Sequence, residues 1–265
     1  MVKKIVGTGV LLVLALALQA GVKMYTLKSP DGKVKLEVTA GQGIAYSLFY
    51  DGRLLLKPSR IALHTDLPEA DHWENIRITG TKQRHVSETV QAPFYRVKEF
   101  GIDCNELELR LNNGFSLLMR AYNDGMAYRF VAGRKGEMTV VEERAEFNFA
   151  DDFEAYIPYS TNPKDPWNMA FQNFYTKAPL TQYNTELPAF LPLTVDAGAV
   201  KLTLLESDLE AYPGMFVRGD GKTPALKGVF AAYPQETFKN KWRCQETVKT
   251  RRPYIARVAG KRTFP

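Results

Sequence analysis

Cysteine is almost absent from this chain of 265 residues, which carries only Cys104 and Cys244. So few thiols exclude a disulfide-stapled scaffold and leave either one intramolecular bridge or two separately buried sulfurs. Histidine is nearly as scarce: His64, His72 and His85 are the full complement, and no His-x-His spacing links them. No two histidines therefore have the close spacing of a metal site. Beyond the first twenty residues no apolar run is long enough to cross a bilayer as a helix, and no segment keeps a helical stripe for three turns. Nor is there a low-complexity linker that would divide the chain.

The N-terminus is different in kind. Lys3 and Lys4 precede an unbroken apolar run from Val10 to Leu18, and Ala20 supplies a small residue at its end. A basic head, a short apolar middle and a small-residue exit are the pattern of a secretory signal, with a retained anchor as the alternative. The reading expects a leader over residues 1–20, a product over 21–265 in the bacterial periplasm or medium, and no membrane attachment after cleavage. No cysteine follows the run to accept a lipid. The formal charge of +6 is concentrated late in the chain, in Lys239, Lys241, Arg243, Lys249, Arg251, Arg252, Arg257, Lys261 and Arg262. These alternate with apolar residues at strand period, as the outer face of strands does, so nucleic acid is not the expected partner.

What the chain has in abundance is alternation at period two. Val34 to Thr39, Ile76 to Thr79, Leu107 to Leu111 and Val200 to Leu204 each set one apolar face against one polar face. Asp31-Gly32, Asp51-Gly52, Asn113-Gly114, Asp124-Gly125 and Asp220-Gly221 fall between such runs, where tight turns need positive φ. Two hairpins are explicit: Ile44–Tyr50 returning as Arg53–Leu56, and Glu106–Leu111 returning as Phe115–Tyr122. Asn123-Asp124-Gly125 reads as a further turn whose glycine meets a backbone need. Many short strands with frequent turns imply an all-β fold of two packed antiparallel sheets. The loops Leu67–Glu74 and Ser160–Ala170 are long for such a fold, and loops of this kind often carry function.

Read in order, Ser29-Pro30-Asp31-Gly32, Asn105-Glu106-Leu107, Arg120-Ala121-Tyr122-Asn123-Asp124-Gly125-Met126-Ala127-Tyr128-Arg129-Phe130, Tyr212-Pro213-Gly214-Met215 and Arg262-Thr263-Phe264-Pro265 resemble the N-terminal domain of glycoside hydrolase family 97. The resemblance implies a β-supersandwich similar to that of the galactose mutarotases. It also implies a place ahead of a catalytic (β/α)₈ barrel, in exo-acting enzymes that hydrolyse terminal α-glucosides or α-galactosides. Two carboxyl groups flank the scissile bond in such chemistry, and they belong to the barrel. The chain reaches Pro265 where the barrel would begin, so catalysis by this chain alone is not expected. The resemblance further implies that a loop of the sandwich reaches the barrel mouth and supplies a carboxylate to calcium. That loop matches Trp167-Asn168-Met169-Ala170-Phe171-Gln172-Asn173-Phe174-Tyr175-Thr176, with Gln172 standing where many members have glutamate. An amide oxygen can ligate calcium but brings no charge, so Gln172 is a weak metal ligand unless others complete the site.

Trp167 and Asn173 in this loop are candidate sugar contacts, Trp167 serving either to stack on a sugar ring or to plug against the barrel. If the loop faces the barrel, Trp167 and Phe171 should lie on an exposed apolar surface. Glu206 and Asp208, two apart after the strand Val200–Leu205, are read as pointing to one side and are further candidates for substrate binding, with an arginine-paired strand end as the plainer reading. Asp151, Asp152 and Glu154 read as a solvated turn. A stand-alone carbohydrate-binding module is the alternative function. A mutarotase-like epimerase is less favoured, since it needs a paired histidine and glutamate that no spacing here specifies.

Overall fold

The computed structural model describes residues 23–133, 136–168, 171–239, 241 and 246–259. The leader and Cys244 lie outside them. In chain order the strands are β1 (Lys23–Lys28), β2 (Val34–Gly41), β3 (Gly43–Tyr50), β4 (Arg53–Thr65), β5 (Ile78–Gln91), β6 (Glu99–Leu111), β7 (Phe115–Tyr122), β8 (Gly125–Ala132) and β9 (Glu137–Asn148). They continue as β10 (Glu154–Ile157), β11 (Thr176–Pro179), β12 (Leu193–Ala197), β13 (Val200–Leu204), β14 (Met215–Gly219), β15 (Ala225–Phe230), β16 (Pro234–Lys239), β17 (Glu246–Arg251) and β18 (Ala256–Ala259). Among the described residues the only helical element is a single 3-10 turn at Leu180–Gln182, and no helix is long and apolar enough to cross a membrane.

One sheet of eight strands runs β1-β2-β3-β4-β9-β15-β14, with β18 also on β9. A four-stranded sheet β5-β6-β7-β8 covers its β1–β3 end, and a second four-stranded sheet, β11-β10-β12-β13, forms around Ala155, Ile157, Leu193 and Val195. All pairings are antiparallel. Alternation drives the layering: Val34, Leu36 and Val38 of β2 are buried with Leu107 and Leu109 of β6 and Leu117 and Met119 of β7, while the intervening residues turn outward. This is the two-layered all-β sandwich that the alternation predicts.

Both explicit hairpins form. Asp51 (φ 48°) and Gly52 (φ 78°) make a two-residue connection from Tyr50 to Arg53, a pair of positive φ angles that matches the twist of the strands. The turn after β7 corrects the expectation for Gly125. Tyr122 pairs directly with Gly125, so the turn residues are Asn123 and Asp124, and neither of these nor Gly125 has a positive φ. Asn123 has a tertiary role instead, its side-chain oxygen accepting from the Asp31 N–H at 3.0 Å and tying the two turns together.

The Leu67–Glu74 loop is a plug. Trp73 is buried, donates its indole N–H to the Leu63 carbonyl at 3.0 Å and meets Phe130 edge-on at 5.3 Å. Burial of an aromatic this large offsets part of the entropy of ordering the loop. His64 donates from Nδ1 to the Asp71 carboxylate (2.8 Å), while His85 meets Asn105 (3.0 Å) and Asp103 (3.1 Å) in the other sheet, so His64 and His85 do not converge. Cys104 is buried as a free thiol on β6. Of the late basic residues, Lys239, Lys249 and Arg251 lie on the β16–β17 ribbon, where Lys249 pairs with Glu236 at 3.2 Å, and Arg257 lies on β18 and pairs with Glu137 at 2.5 Å; Arg243, Lys261 and Arg262 lie outside the described residues.

Candidate functional site

The segment between β13 and β14 carries both carboxylates singled out above, and it is not a strand. Asp208 adopts φ 62°, which breaks the extended path and separates the two side chains. Glu206 turns inward and accepts the Met215 N–H at 2.8 Å on each oxygen; burial raises its pKa, opposed by that N–H. Asp208 turns outward to Arg129 of β8, 3.2 Å away. The two carboxylates thus take separate partners rather than lying on one strand face, Asp208 being itself the left-handed residue. Asp208 takes the arginine pairing instead.

Behind this segment lies a buried acid that strand alternation did not reveal. Glu143 of β9 is 7% exposed, and Tyr212 donates its hydroxyl to it at 2.6 Å. Burial pushes the Glu143 carboxyl up to about 7; the Tyr212 hydroxyl opposes the shift and Glu206 adds to it. Tyr128 of β8, 5.8 Å ring to ring from Tyr46, is raised well above the usual phenol range by burial and by the charges of Tyr46 and Glu143. Glu143 faces inward because the ladder with β4 skips Val141, pairing His64 with Glu142 and Thr65 with Val140. The extra residue reverses the phase of the strand. The only hint in the sequence is that Glu143 is in step with buried Ala145 and Phe147. A carboxyl this deep has no path to a sugar bond, and general acid catalysis requires hydrogen-bonding reach. Its role is to hold the β13–β14 segment.

The second cluster is at the surface. Trp167 meets Phe216 edge-on at 5.0 Å, Phe216 lies 4.7 Å from Phe190, Phe190 5.7 Å from Phe171, and Phe171 5.2 Å from Tyr175. Trp167, Phe171, Phe190 and Phe216 are each half-buried, Tyr175 is exposed, and Phe174 stands 93% exposed beside them. The loop therefore presents a continuous aromatic surface of the kind expected around Trp167 and Phe171. Phe190 and Phe216 come from other elements, which sequence spacing could not join to the loop. Gln172 and Asn173 are exposed on the same loop, and the Asn173 side-chain oxygen accepts the Phe174 N–H at 2.9 Å. No group of three or more His, Cys, Asp or Glu able to hold a metal occurs among the described residues. One neutral amide oxygen does not amount to a calcium site.

The fold is that of an antiparallel β-sandwich domain carrying an aromatic rim. The chain belongs to the glycosyl-hydrolase 97 N-terminal family, which matches residues 27–253. It is 39% identical over 258 residues to a retaining alpha-galactosidase of Bacteroides thetaiotaomicron, a match that takes in 94% of this chain but 38% of that enzyme. It is 26% identical over 158 residues to a probable retaining alpha-galactosidase of Streptomyces bingchenggensis, with 24% of that protein covered. The chain thus spans well under half the length of these relatives, and corresponds to their N-terminal part. Among solved structures, a glycoside hydrolase family 97 enzyme from Pseudoalteromonas sp. strain K8 in complex with acarbose superposes with TM-score 0.66 at 17% identity, covering 90% of this chain and 35% of that one. A beta-arabinopyranosidase superposes with TM-score 0.71 at 19% identity, covering 91% and 39%.

Proposed function

We propose that this chain is the non-catalytic sandwich of an exported α-glycosidase that removes terminal α-galactosides or α-glucosides once a catalytic (β/α)₈ barrel is joined to it. The observation that carries this reading is the match over 94% of the chain to only 38% of a retaining alpha-galactosidase. The aromatic run from Trp167 to Tyr175 supports it as the surface set against the barrel. Trp167 and Asn173 lie there to contact sugar, and Gln172 would give a calcium ion one neutral oxygen, the charged ligands coming from outside this chain. Glu206 and Asp208 are occupied within the sandwich by Met215 and Arg129, so their part is to shape the rim. The Lys3-Lys4 and Val10–Leu18 leader pattern supports export to the periplasm or medium.

The test is to assay the purified chain on nitrophenyl α-galactoside and α-glucoside, and to titrate it with melibiose and maltotriose. No hydrolysis above buffer is expected. Release of nitrophenol that survives repurification would overturn the reading. Sugar binding abolished by Trp167→Ala would assign the rim to carbohydrate as well as to docking.

A further inference from the structure

Strand β5 is the outermost of its sheet, and no described strand pairs with its other edge. Its register with β6 is unbroken from Thr81↔Leu109 to Gln91↔Glu99, yet β7 joins β6 only from Cys104 onward. Residues 87–103 therefore form a two-stranded arm that overhangs the sheet. The arm is tipped by Phe94, 98% exposed, with exposed Tyr95 and Val97, and Val90 lies beside Phe100 across the ladder. An isolated two-stranded ribbon is marginal in water, and a long open edge is a template for another strand. The Ala92 N–H donates to the Lys98 carbonyl at 2.7 Å. Hydrogen-bonded pairs alternate along an antiparallel ladder, so the backbone N–H and C=O groups of 83, 85, 87 and 89 point outward.

We propose that this edge pairs with the same edge of a second copy of the chain, about a two-fold axis at His85. In that antiparallel register Lys82 of each copy lies opposite Glu88 of the other, Thr81 opposite Thr89, and Gln83 opposite Ser87. Opposite charges and β-branched pairs directly across a ladder are favourable. An axis at Val86 would set Glu88 against Arg84, which is already held by Glu106 at 2.6 Å, and Lys82 against Val90. His85 keeps its own contacts to Asn105 and Asp103. The pairing joins two four-stranded sheets into one of eight. Because Gln91 then meets Thr79, each overhanging arm lies along the start of β5 in the other copy, and the interface is isologous and closed.

Sedimentation velocity across the micromolar range tests this directly. A dimer is expected, and Glu88→Lys should raise its dissociation constant at least about tenfold, because two like-charge pairs replace two attractive ones. The combined Lys82→Glu and Glu88→Lys exchange should restore it, which a merely misfolded variant could not do. Ser87→Pro should leave a monomer with an unchanged circular dichroism spectrum, since its N–H points away from β6. A chain that stays monomeric throughout, or a dimer indifferent to Ser87→Pro and Glu88→Lys, would overturn the proposal.

Discussion

Replacing Glu143 by glutamine isolates the cost of keeping a carboxylate inside the sandwich. In the fold, burial pushes its carboxyl up to about 7 from about 4.5 for a solvated glutamate. Because the folded value is the higher, the native state holds this proton more tightly than the unfolded chain, and stability falls as pH rises from the unfolded pKa through the folded one. The cost is below about 1 kcal/mol at pH 5 and about 3 kcal/mol by pH 8, taking 1.36 kcal/mol per unit. Glutamine has the same shape and no charge, but the acceptor it offers Tyr212 is weaker and its amide hydrogens need partners, a loss of about 1–3 kcal/mol at every pH. At pH 5 the variant should therefore be less stable than the parent, and by pH 8 the gap should close or invert, a relative gain of 2–3 kcal/mol by the same arithmetic, about 5–10 °C in melting temperature. Urea unfolding followed by tryptophan fluorescence at pH 5, 6, 7 and 8 measures it, and taking the difference between proteins cancels the other titrating groups. A gap that does not change with pH, or that widens toward pH 8, would refute the assignment of a buried neutral acid to Glu143.

Two other substitutions probe the packing. A Cβ added at Gly219 would lie 2.7 Å from the ring and 2.8 Å from the Cβ of Tyr183, whose hydroxyl has the Val217 carbonyl at 2.7 Å and the Leu187 carbonyl at 3.0 Å to share its one proton; Gly219→Ala should cost about 1–3 kcal/mol in urea unfolding through overpacking. Glu106 is buried between Arg84 at 2.6 Å and Arg120 at 2.7 Å. Burial by itself would raise its pKa, but the two guanidinium groups outweigh it and hold the carboxyl below the usual glutamate range. This stabilisation is present above the unfolded pKa and is lost as pH falls through the lower folded value. Glu106→Gln should accordingly lower stability by about 2 kcal/mol at pH 7, with the difference from the parent shrinking in titrations toward pH 3.

Strand periodicity, turn positions and family membership were legible in the residues alone. Val34 to Thr39 and Leu107 to Leu111 alternate because each residue's face is set by its immediate neighbours, and Asp51-Gly52 turns because its own φ preferences demand it. The Trp167 loop could be placed at a surface from its resemblance to relatives. Three features depended on the folded molecule. Glu143 became an interior acid through one skipped residue in the β4–β9 ladder, a mismatch between two strands that neither strand encodes by itself. Glu206 and Asp208 take separate partners, Met215 and Arg129, which different sheets bring near. Phe190 and Phe216 joined Trp167 and Phe171 in one aromatic surface across gaps that no local pattern spans. Short-range sterics and periodicity therefore determined the elements of this protein. Contacts between residues far apart in the chain decided which carboxylates are buried, paired or free, because burial and partner charges act through space.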